Sequence, residues 1–137
     1  MRAVLRTYFF LALSLVVSCG KPASHEQFVR VDQAADGVYS FDLDFTDSTA
    51  VYDIGFYTPA VDGECSLPLA VSWFSGDGLL QMEERVYLAL GREDVIKEYR
   101  TRVSPAPAGV WELKVRVTDA PEGFLGLGIT CKRYGTR

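Results

Sequence analysis

The sequence predicts an all-β protein, a single antiparallel β-sandwich of immunoglobulin-like or jelly-roll type with seven or eight strands and at most one short helix. Two observations carry this prediction. Apolar and polar residues alternate along several short segments, and clusters of glycine, proline and aspartate separate those segments. Alternation with a period of two is typical of strands that bury one face and expose the other, as antiparallel sheets do.

The alternation also predicts which side chains face the core. In chain order, these are Tyr39, Phe41, Leu43 and Phe45; Tyr52, Ile54 and Phe56; Leu69, Val71 and Trp73; Trp111, Leu113, Val115 and Val117; and Leu125, Leu127, Ile129 and Cys131. The residues between them, such as Asp42 and Lys114, are mostly polar or small. We therefore expect one solvated face on most strands.

The segments between the strands read as turns. "SGDG" (75–78) predicts a hairpin, because Asp-Gly readily adopts the positive φ angles of a tight turn. Loops are expected at 61–65, 104–109 and 120–123. One segment, "REDVIKEYR" (92–100), begins with acidic and ends with basic residues, which favours one or two helical turns. The alternative is a short strand over "KEYRTRV".

The N-terminus has the pattern of a secretion signal. Arg2 and Arg6 precede an apolar stretch at 8–17, which is too short to span a membrane. No Ala-x-Ala cleavage site follows it. Instead "VVSC" (16–19) resembles the lipobox of bacterial lipoproteins. That resemblance implies cleavage before Cys19 and attachment of lipid to Cys19, and two or more acyl chains would anchor the protein stably.

This interpretation divides the chain into a lipoprotein signal peptide (1–18), a lipidated tether (19–27) that includes His25, and a β-sandwich domain (28–137). Removal of the signal leaves 12 basic and 18 acidic residues. The negative charge argues against a nucleic-acid partner, which would need clusters of lysine and arginine. Gly20 follows the cysteine in place of the aspartate that retains some lipoproteins in the inner membrane. We therefore expect the protein on the periplasmic face of the outer membrane, and exposure at the cell surface is the alternative.

Lipidation of Cys19 leaves Cys65 and Cys131 in an oxidising compartment. A disulfide between these two residues is the default expectation, and two separate buried thiols are the alternative. A metal site is not expected, because two cysteines and a distant histidine lack the paired spacing that zinc needs.

The sequence offers little catalytic chemistry and no cofactor motif. His25 is the only imidazole, which disfavours histidine-dependent nucleophilic catalysis. The acidic series Asp42, Asp44, Asp47 and Asp53 could bind calcium or hydrolyse a glycoside, but its spacing favours a solvated strand face. Aromatic residues off the apolar phase could form an exposed surface for sugar or protein: Tyr57, Phe74, Tyr87 and Phe124.

The order of these features resembles the gliding-motility lipoprotein H (GldH-like) family. The resemblance comprises the lipobox at Cys19, "YSFDLDFTDST", "LAVSWFSGDGLL", "LGREDVIKEYRTRV", "PAGVWELKVRV" and "PEGFLGLGITCKR". It departs from the family at Trp111, where a tyrosine is usual, and in the pair of cysteines. It implies a lipid-anchored β-sandwich without catalytic residues, linked in gliding species to motility and secretion machinery.

Two functions from different classes follow. The leading expectation is a non-enzymatic accessory or scaffold lipoprotein that binds other envelope proteins. The alternative is a β-sandwich lipoprotein that binds a glycan or another small ligand through off-phase aromatic residues and loop acids, an expectation based on fold analogy.

Overall fold

The computed structural model describes residues 24–136, with side chains described through residue 134. These residues form eight β-strands: β1 (Ser24–Arg30), β2 (Val38–Phe45), β3 (Ala50–Thr58), β4 (Cys65–Phe74), β5 (Leu80–Leu90), β6 (Val95–Val103), β7 (Gly109–Val117) and β8 (Gly126–Thr136). Across this part of the chain, no helix is long and apolar enough to cross a membrane.

The strands form two four-stranded antiparallel sheets. One has the order β1-β8-β3-β6 and the other the order β2-β7-β4-β5. Consecutive strands therefore mostly lie in different sheets, and β4 and β5 form the only hairpin within one sheet among the described strands. Two sheets of four strands connected in this order constitute a jelly roll, so the predicted β-sandwich is confirmed and is of the jelly-roll type.

The core lies between the two sheets, and the predicted alternation accounts for most of it. Residues buried on both inner faces include Phe41, Leu43, Phe45, Ile54, Phe56, Leu69, Val71, Trp73, Leu113, Val115, Leu127 and Ile129. A cluster of aromatic rings fills one end. Phe45 packs edge-on against Tyr52 with ring centroids 4.8 Å apart and lies 6.4 Å from both Trp73 and Trp111. Burial of this much apolar surface is the main stabilising contribution to the fold.

The predicted β4–β5 hairpin is present. Gly78 has a φ of 81° and donates its N–H to the Ser75 carbonyl at 2.8 Å. The Asp77 carboxylate accepts the Leu79 N–H at 3.2 Å, which closes the turn from its other side. The aspartate and glycine of "SGDG" thus have the roles that the sequence assigns to them.

The predicted helix at 92–100 is wrong, and the alternative strand is correct. Residues 95–103 form β6, which pairs with β3 at the edge of its sheet. Val95, Tyr99 and Val103 pack against the core. Pairing with β3 and burial of these three side chains outweigh the local preference of a short charged segment for a helix, because a helix this short is marginal by itself.

Two boundaries also differ from the sequence-based expectation. β1 begins at Ser24 and pairs with β8, so residues 24–27, His25 among them, belong to the sandwich instead of the tether. Leu125, expected to face the core, is exposed. It precedes β8, and Gly126 has a φ of 153° at the start of that strand, so the alternation begins only at Leu127.

The expected disulfide between Cys65 and Cys131 is absent, and both residues are free thiols. Cys65 is exposed at the start of β4, whereas Cys131 is buried in β8 of the other sheet. One sulfur is therefore exposed on one sheet and the other is buried in the opposite sheet, so the two side chains do not meet. Burial raises the pKa of the Cys131 thiol to about 11, so this thiol stays protonated at neutral pH.

The different environments of Leu125 and Leu127 give a matched test of the β8 boundary. Leu127→Ala should lower the free energy of unfolding by about 2–5 kcal/mol, because the side chain is fully buried. Leu125→Ala should change it by no more than about 0.5 kcal/mol. Urea denaturation of the two variants measures both values. Equal losses would mean that β8 begins before Gly126.

Candidate functional site

The outer face of the β2-β7-β4-β5 sheet carries an open trough with a volume of about 770 Å³. Most of its lining comes from strands β2, β4, β5 and β7, with one contribution from the turn before β2. The lining residues are Ala35, Val38, Ser40, Ala70, Val71, Ser72, Phe74, Glu83, Glu84, Arg85, Lys114 and Arg116.

The trough exists because the two strands beside β4 carry long side chains and β4 carries short ones. Ala70 and Ser72 face outward from β4, between the inward-facing Leu69, Val71 and Trp73. The small side chains form the floor. A sheet whose outer residues were uniformly long would present no concave surface here.

Strand register aligns the trough residues in rows across the sheet. One row, in which each residue is the Cα partner of the next, consists of Ser40, Lys114, Ser72 and Glu83. The Ser72 hydroxyl lies 3.4 Å from the Glu83 carboxylate, to which it donates a hydrogen bond. This row therefore combines hydroxyl, ammonium and carboxylate groups, which can donate and accept hydrogen bonds to a polar ligand.

The next row, on the Val38 side, consists of Val38, Arg116, Ala70 and Arg85. Both arginines are exposed, and they flank Ala70 from β7 and β5. This row therefore places two cations around an apolar floor.

Phe74 bounds the trough at the end of β4. Lys114 Nζ lies 5.2 Å from the centroid of the Phe74 ring, which is a cation–π contact. The same ammonium lies 3.7 Å from the Glu112 carboxylate. Phe74 is half-buried, so part of its ring remains available to an apolar surface of a ligand.

A second, smaller cavity of about 370 Å³ opens between the edge strands β5 and β6, next to Trp73, Met82 and Trp111. Both indole N–H groups are satisfied within the protein. Trp73 donates to the Tyr99 hydroxyl at 2.8 Å, and Trp111 donates to the Pro107 carbonyl at 2.9 Å. The cavity therefore offers mainly the carbon edges of these rings.

A hydrogen-bonded network connects this edge of the sandwich. The Tyr99 hydroxyl and the Arg100 guanidinium both donate to the Glu84 carboxylate. Burial raises the pKa of Tyr99 to about 12, and its bond to Glu84 acts in the same direction. Burial alone would raise the pKa of Glu84, but the bonds from Arg100 and Tyr99 outweigh it and lower that pKa. Glu84 is therefore ionised at neutral pH and is not poised as an acid.

The opposite sheet presents an apolar strip on its outer face. This strip crosses β1, β8, β3 and β6 and consists, in that order, of Phe28, Gly128, Tyr57 and Ile96. The rings of Phe28 and Tyr57 stack with centroids 5.8 Å apart. A Cβ atom at Gly128 would lie 2.1 Å from the Tyr57 ring, so glycine here permits close packing within a strand and is not part of a phosphate loop.

The off-phase aromatic residues predicted from the sequence do not form one surface. Phe74 lines the trough, and Tyr87 is exposed on β5 without lining it. Tyr57 lies on the opposite sheet. Phe124 is buried and packs edge-on against Tyr39 at 6.2 Å, so its predicted exposure is wrong.

The acidic series makes local hydrogen bonds and does not converge. Hydrogen bonds from the side chains and the backbone N–H groups of Thr46 and Thr49 lower the pKa values of the Asp44 and Asp47 carboxyl groups, respectively. Asp53 accepts the Arg102 N–H at 2.9 Å. Between residues 24 and 136, no group of three or more histidine, cysteine, aspartate or glutamate residues is arranged to hold a metal ion.

Sequence reasoning did not identify most of the residues that line the trough: Ser40, Ala70, Ser72, Glu83, Arg85, Lys114 and Arg116. The small outward residues of "LAVSW" were a usable signal. Their significance depends on which strands lie on either side of β4, and that order is not visible in local sequence.

No family model and no curated protein sequence matches the chain. The solved structures that are similar to it include the following two. The structure of TmCBM61 in complex with beta-1,4-galactotriose is 20% identical, over 82% of this chain and 70% of that chain, with a TM-score of 0.38. The family 11 carbohydrate-binding module from Clostridium thermocellum, in complex with a beta-1,3-1,4-mixed-linked tetrasaccharide, is 12% identical, over 85% of this chain and 86% of that chain, with a TM-score of 0.40. Likenesses at these TM-scores do not identify a ligand for this chain.

The network at the β5–β6 edge predicts a specific dependence of stability on pH. Tyr99→Phe removes the acceptor of the buried Trp73 N–H and should cost about 1–3 kcal/mol at pH 7. Because the folded-state pKa of Tyr99 is raised to about 12 from the usual tyrosine value of 10.0, its ionisation is disfavoured in the folded state. The stabilising contribution is complete below the unfolded pKa and is lost as the pH rises through the folded pKa.

The difference in unfolding free energy between wild type and Tyr99→Phe should therefore shrink between about pH 10 and pH 12. Urea denaturation at a series of pH values measures it. Tyr87→Phe, at an exposed position on β5, is the control and should show no such trend. A difference that stays constant across this window would show that the Tyr99 hydroxyl is not held protonated by the fold.

Proposed function

We propose that this protein is a non-enzymatic binding module and that its ligand is a glycan, held in the trough on the outer face of the β2-β7-β4-β5 sheet. The observation that carries the proposal is the trough itself: a floor of small side chains bordered by hydroxyl and charged groups and by the half-buried ring of Phe74. Open clefts of about 300–1,000 Å³ with a few polar groups are typical of ligand sites.

The position of the floor favours recognition by side chains. β4 and β7 are interior strands, each paired on both sides, so their backbone N–H and C=O groups are used in the sheet. A peptide that binds by strand addition needs an exposed edge, which this face does not provide. A ligand here must instead bond to groups such as Ser40, Ser72 and Glu83.

Sugars have the chemistry that fits this surface. Their hydroxyl groups donate and accept hydrogen bonds, which matches the mixed set of hydroxyl, carboxylate and ammonium groups in the row through Ser72. The C–H face of a sugar ring packs against aromatic carbon, which Phe74 provides beside this row, two residues further along β4. The open shape suits a chain of sugars that continues beyond the protein.

The lowered pKa of Glu84, a carboxylate that lines the trough, also supports a binding role. Glycoside hydrolysis needs a carboxylic acid whose pKa is raised so that it can protonate the leaving group. The pKa of Glu84 is lowered instead, by its bonds to Arg100 and Tyr99.

Filling the trough should abolish glycan binding. Ser72→Tyr places a ring on the floor, in the space that the ligand would occupy. Ser66→Tyr is the matched control, because Ser66 is exposed on the same strand and does not line the trough. A glycan array followed by calorimetry on the full chain tests both variants. The proposal requires a ligand that wild type and Ser66→Tyr bind and Ser72→Tyr does not. Equal binding by both variants would exclude the trough.

We further propose that the chain is anchored to the outer membrane through lipid on Cys19, which lies outside the described residues. The resemblance of "VVSC" to a lipobox supports this localisation. The similarity to the gliding-motility lipoprotein H family, and the scaffold role among envelope proteins that it implies, remain predictions.

The anchor has a direct test. Cys19→Ala should move the protein from the membrane fraction to the soluble fraction, because a lipid of two or more chains supplies the stable attachment. Fractionation of cells that express either form, followed by immunoblotting, measures the shift. A variant that stays with the membranes would show that Cys19 is not the anchor.

A further inference from the structure

Two arginines face each other across the floor of the trough. Arg116 and Arg85 are the Cα partners of Ala70 on either side, in β7 and β5. Neighbouring strands lie about 4.8 Å apart, so each arginine begins about 5 Å from Ala70 and projects from the same face of the sheet. Ala70 has only a methyl group, which leaves the space above it open to both guanidinium groups.

Among the residues that the structure describes, these two cations lack the ion pairs that other basic groups nearby have. The Lys114 ammonium lies 3.7 Å from Glu112, and Arg100 is paired with Glu84. Within residues 24–134, neither Arg85 nor Arg116 lies within 4.0 Å of a carboxylate. The chain as a whole is acidic, with a formal net charge of −4. Two unpaired arginines in one concave site are therefore a local exception to the charge of the protein.

We propose that Arg85 and Arg116 together bind a carboxylate of the ligand, and that the glycan in the trough contains a uronic acid. This inference rests on the proposed function. A guanidinium group presents a rigid fork of N–H donors that matches a carboxylate, and a carboxylate above Ala70 can be reached from both sides. Bonds between ionised groups are about twice as strong as neutral ones, so this row fixes the position of the acidic sugar.

The neighbouring row explains why the ligand is a sugar acid and not a simple anion. Ser72 lies two residues along β4 from Ala70, and Phe74 two residues further. One sugar with its carboxylate over Ala70 leaves the next sugar above Ser72, with its hydroxyl groups toward the serine and its ring toward Phe74. A small inorganic anion would use only the arginine row.

The test compares each acidic sugar with its neutral counterpart. Oligogalacturonate, oligoglucuronate and oligomannuronate are titrated into the full chain by calorimetry, each beside the same oligosaccharide after reduction of its carboxyl groups to alcohols. At low salt, at least one of the acids should bind tenfold or more tightly than its reduced form. This preference should weaken as sodium chloride is added, because salt screens exposed charges.

Substitutions assign the preference to the two arginines. Arg85→Gln and Arg116→Gln should each lower the affinity for the acidic oligosaccharide by about tenfold, the loss expected when one charged hydrogen-bond donor is removed. The affinity for the reduced form should fall by less. Arg85→Lys keeps the charge without the fork and should give an intermediate loss. Arg92→Gln, at an exposed arginine in the turn after β5, is the control and should bind both ligands like wild type.

The outcomes separate this inference from the function on which it rests. If the protein binds neutral glycans as tightly as acidic ones and Ser72→Tyr abolishes that binding, the trough is a glycan site and the assignment of a uronic acid is wrong. The assignment also fails if the arginine variants weaken both ligands equally. If the protein binds neither the acidic nor the reduced form of any of these oligosaccharides, the proposed function itself is overturned.

Discussion

The packing of two four-stranded sheets over a shared core determines the positions of all the other features of this molecule. Successive side chains of a strand point to opposite faces, so burying one set fixes the direction of the other. On β4, the burial of Leu69, Val71 and Trp73 directs Ala70 and Ser72 outward. A shift of one residue in register would turn the buried apolar side chains toward solvent and the outer side chains toward the core. The loss of so much apolar burial disfavours that shift. The trough floor is thus held in place by the same contacts that stabilise the fold.

The edge of the sandwich is held by polar contacts. The β5–β6 edge depends on the chain of hydrogen bonds from Trp73 through Tyr99 to Glu84 and Arg100. These bonds tie edge strands of different sheets together, close to the outer face that carries the trough. Both the core and this network restrict movement of β5, and Arg85 lies on that strand. A ligand would therefore meet side chains on a rigid frame, which reduces the entropy cost of binding.

The sequence predicted those parts of the fold that depend on neighbouring residues along the chain. Alternation identified most core residues, and "SGDG" identified the hairpin. The predictions were wrong where contacts between residues distant in the sequence determine the local structure. Residues 95–103 form a strand because they pair with β3, and the alternation begins only at Leu127, after Gly126, which leaves Leu125 exposed. The arginine pair was not predictable for the same reason, because Arg85 and Arg116 become neighbours of Ala70 only through the order β7-β4-β5.

The central claim is that the outer face of the β2-β7-β4-β5 sheet is the binding surface. Amide chemical shifts of the isotopically labelled full chain, recorded while an oligosaccharide is added, test it most directly. We expect the shifts to change around Ala70, Ser72 and Lys114 and to stay constant around Phe28 and Tyr57 on the opposite sheet. Changes confined to the Phe28–Tyr57 strip, or to the cavity at Met82, would contradict it.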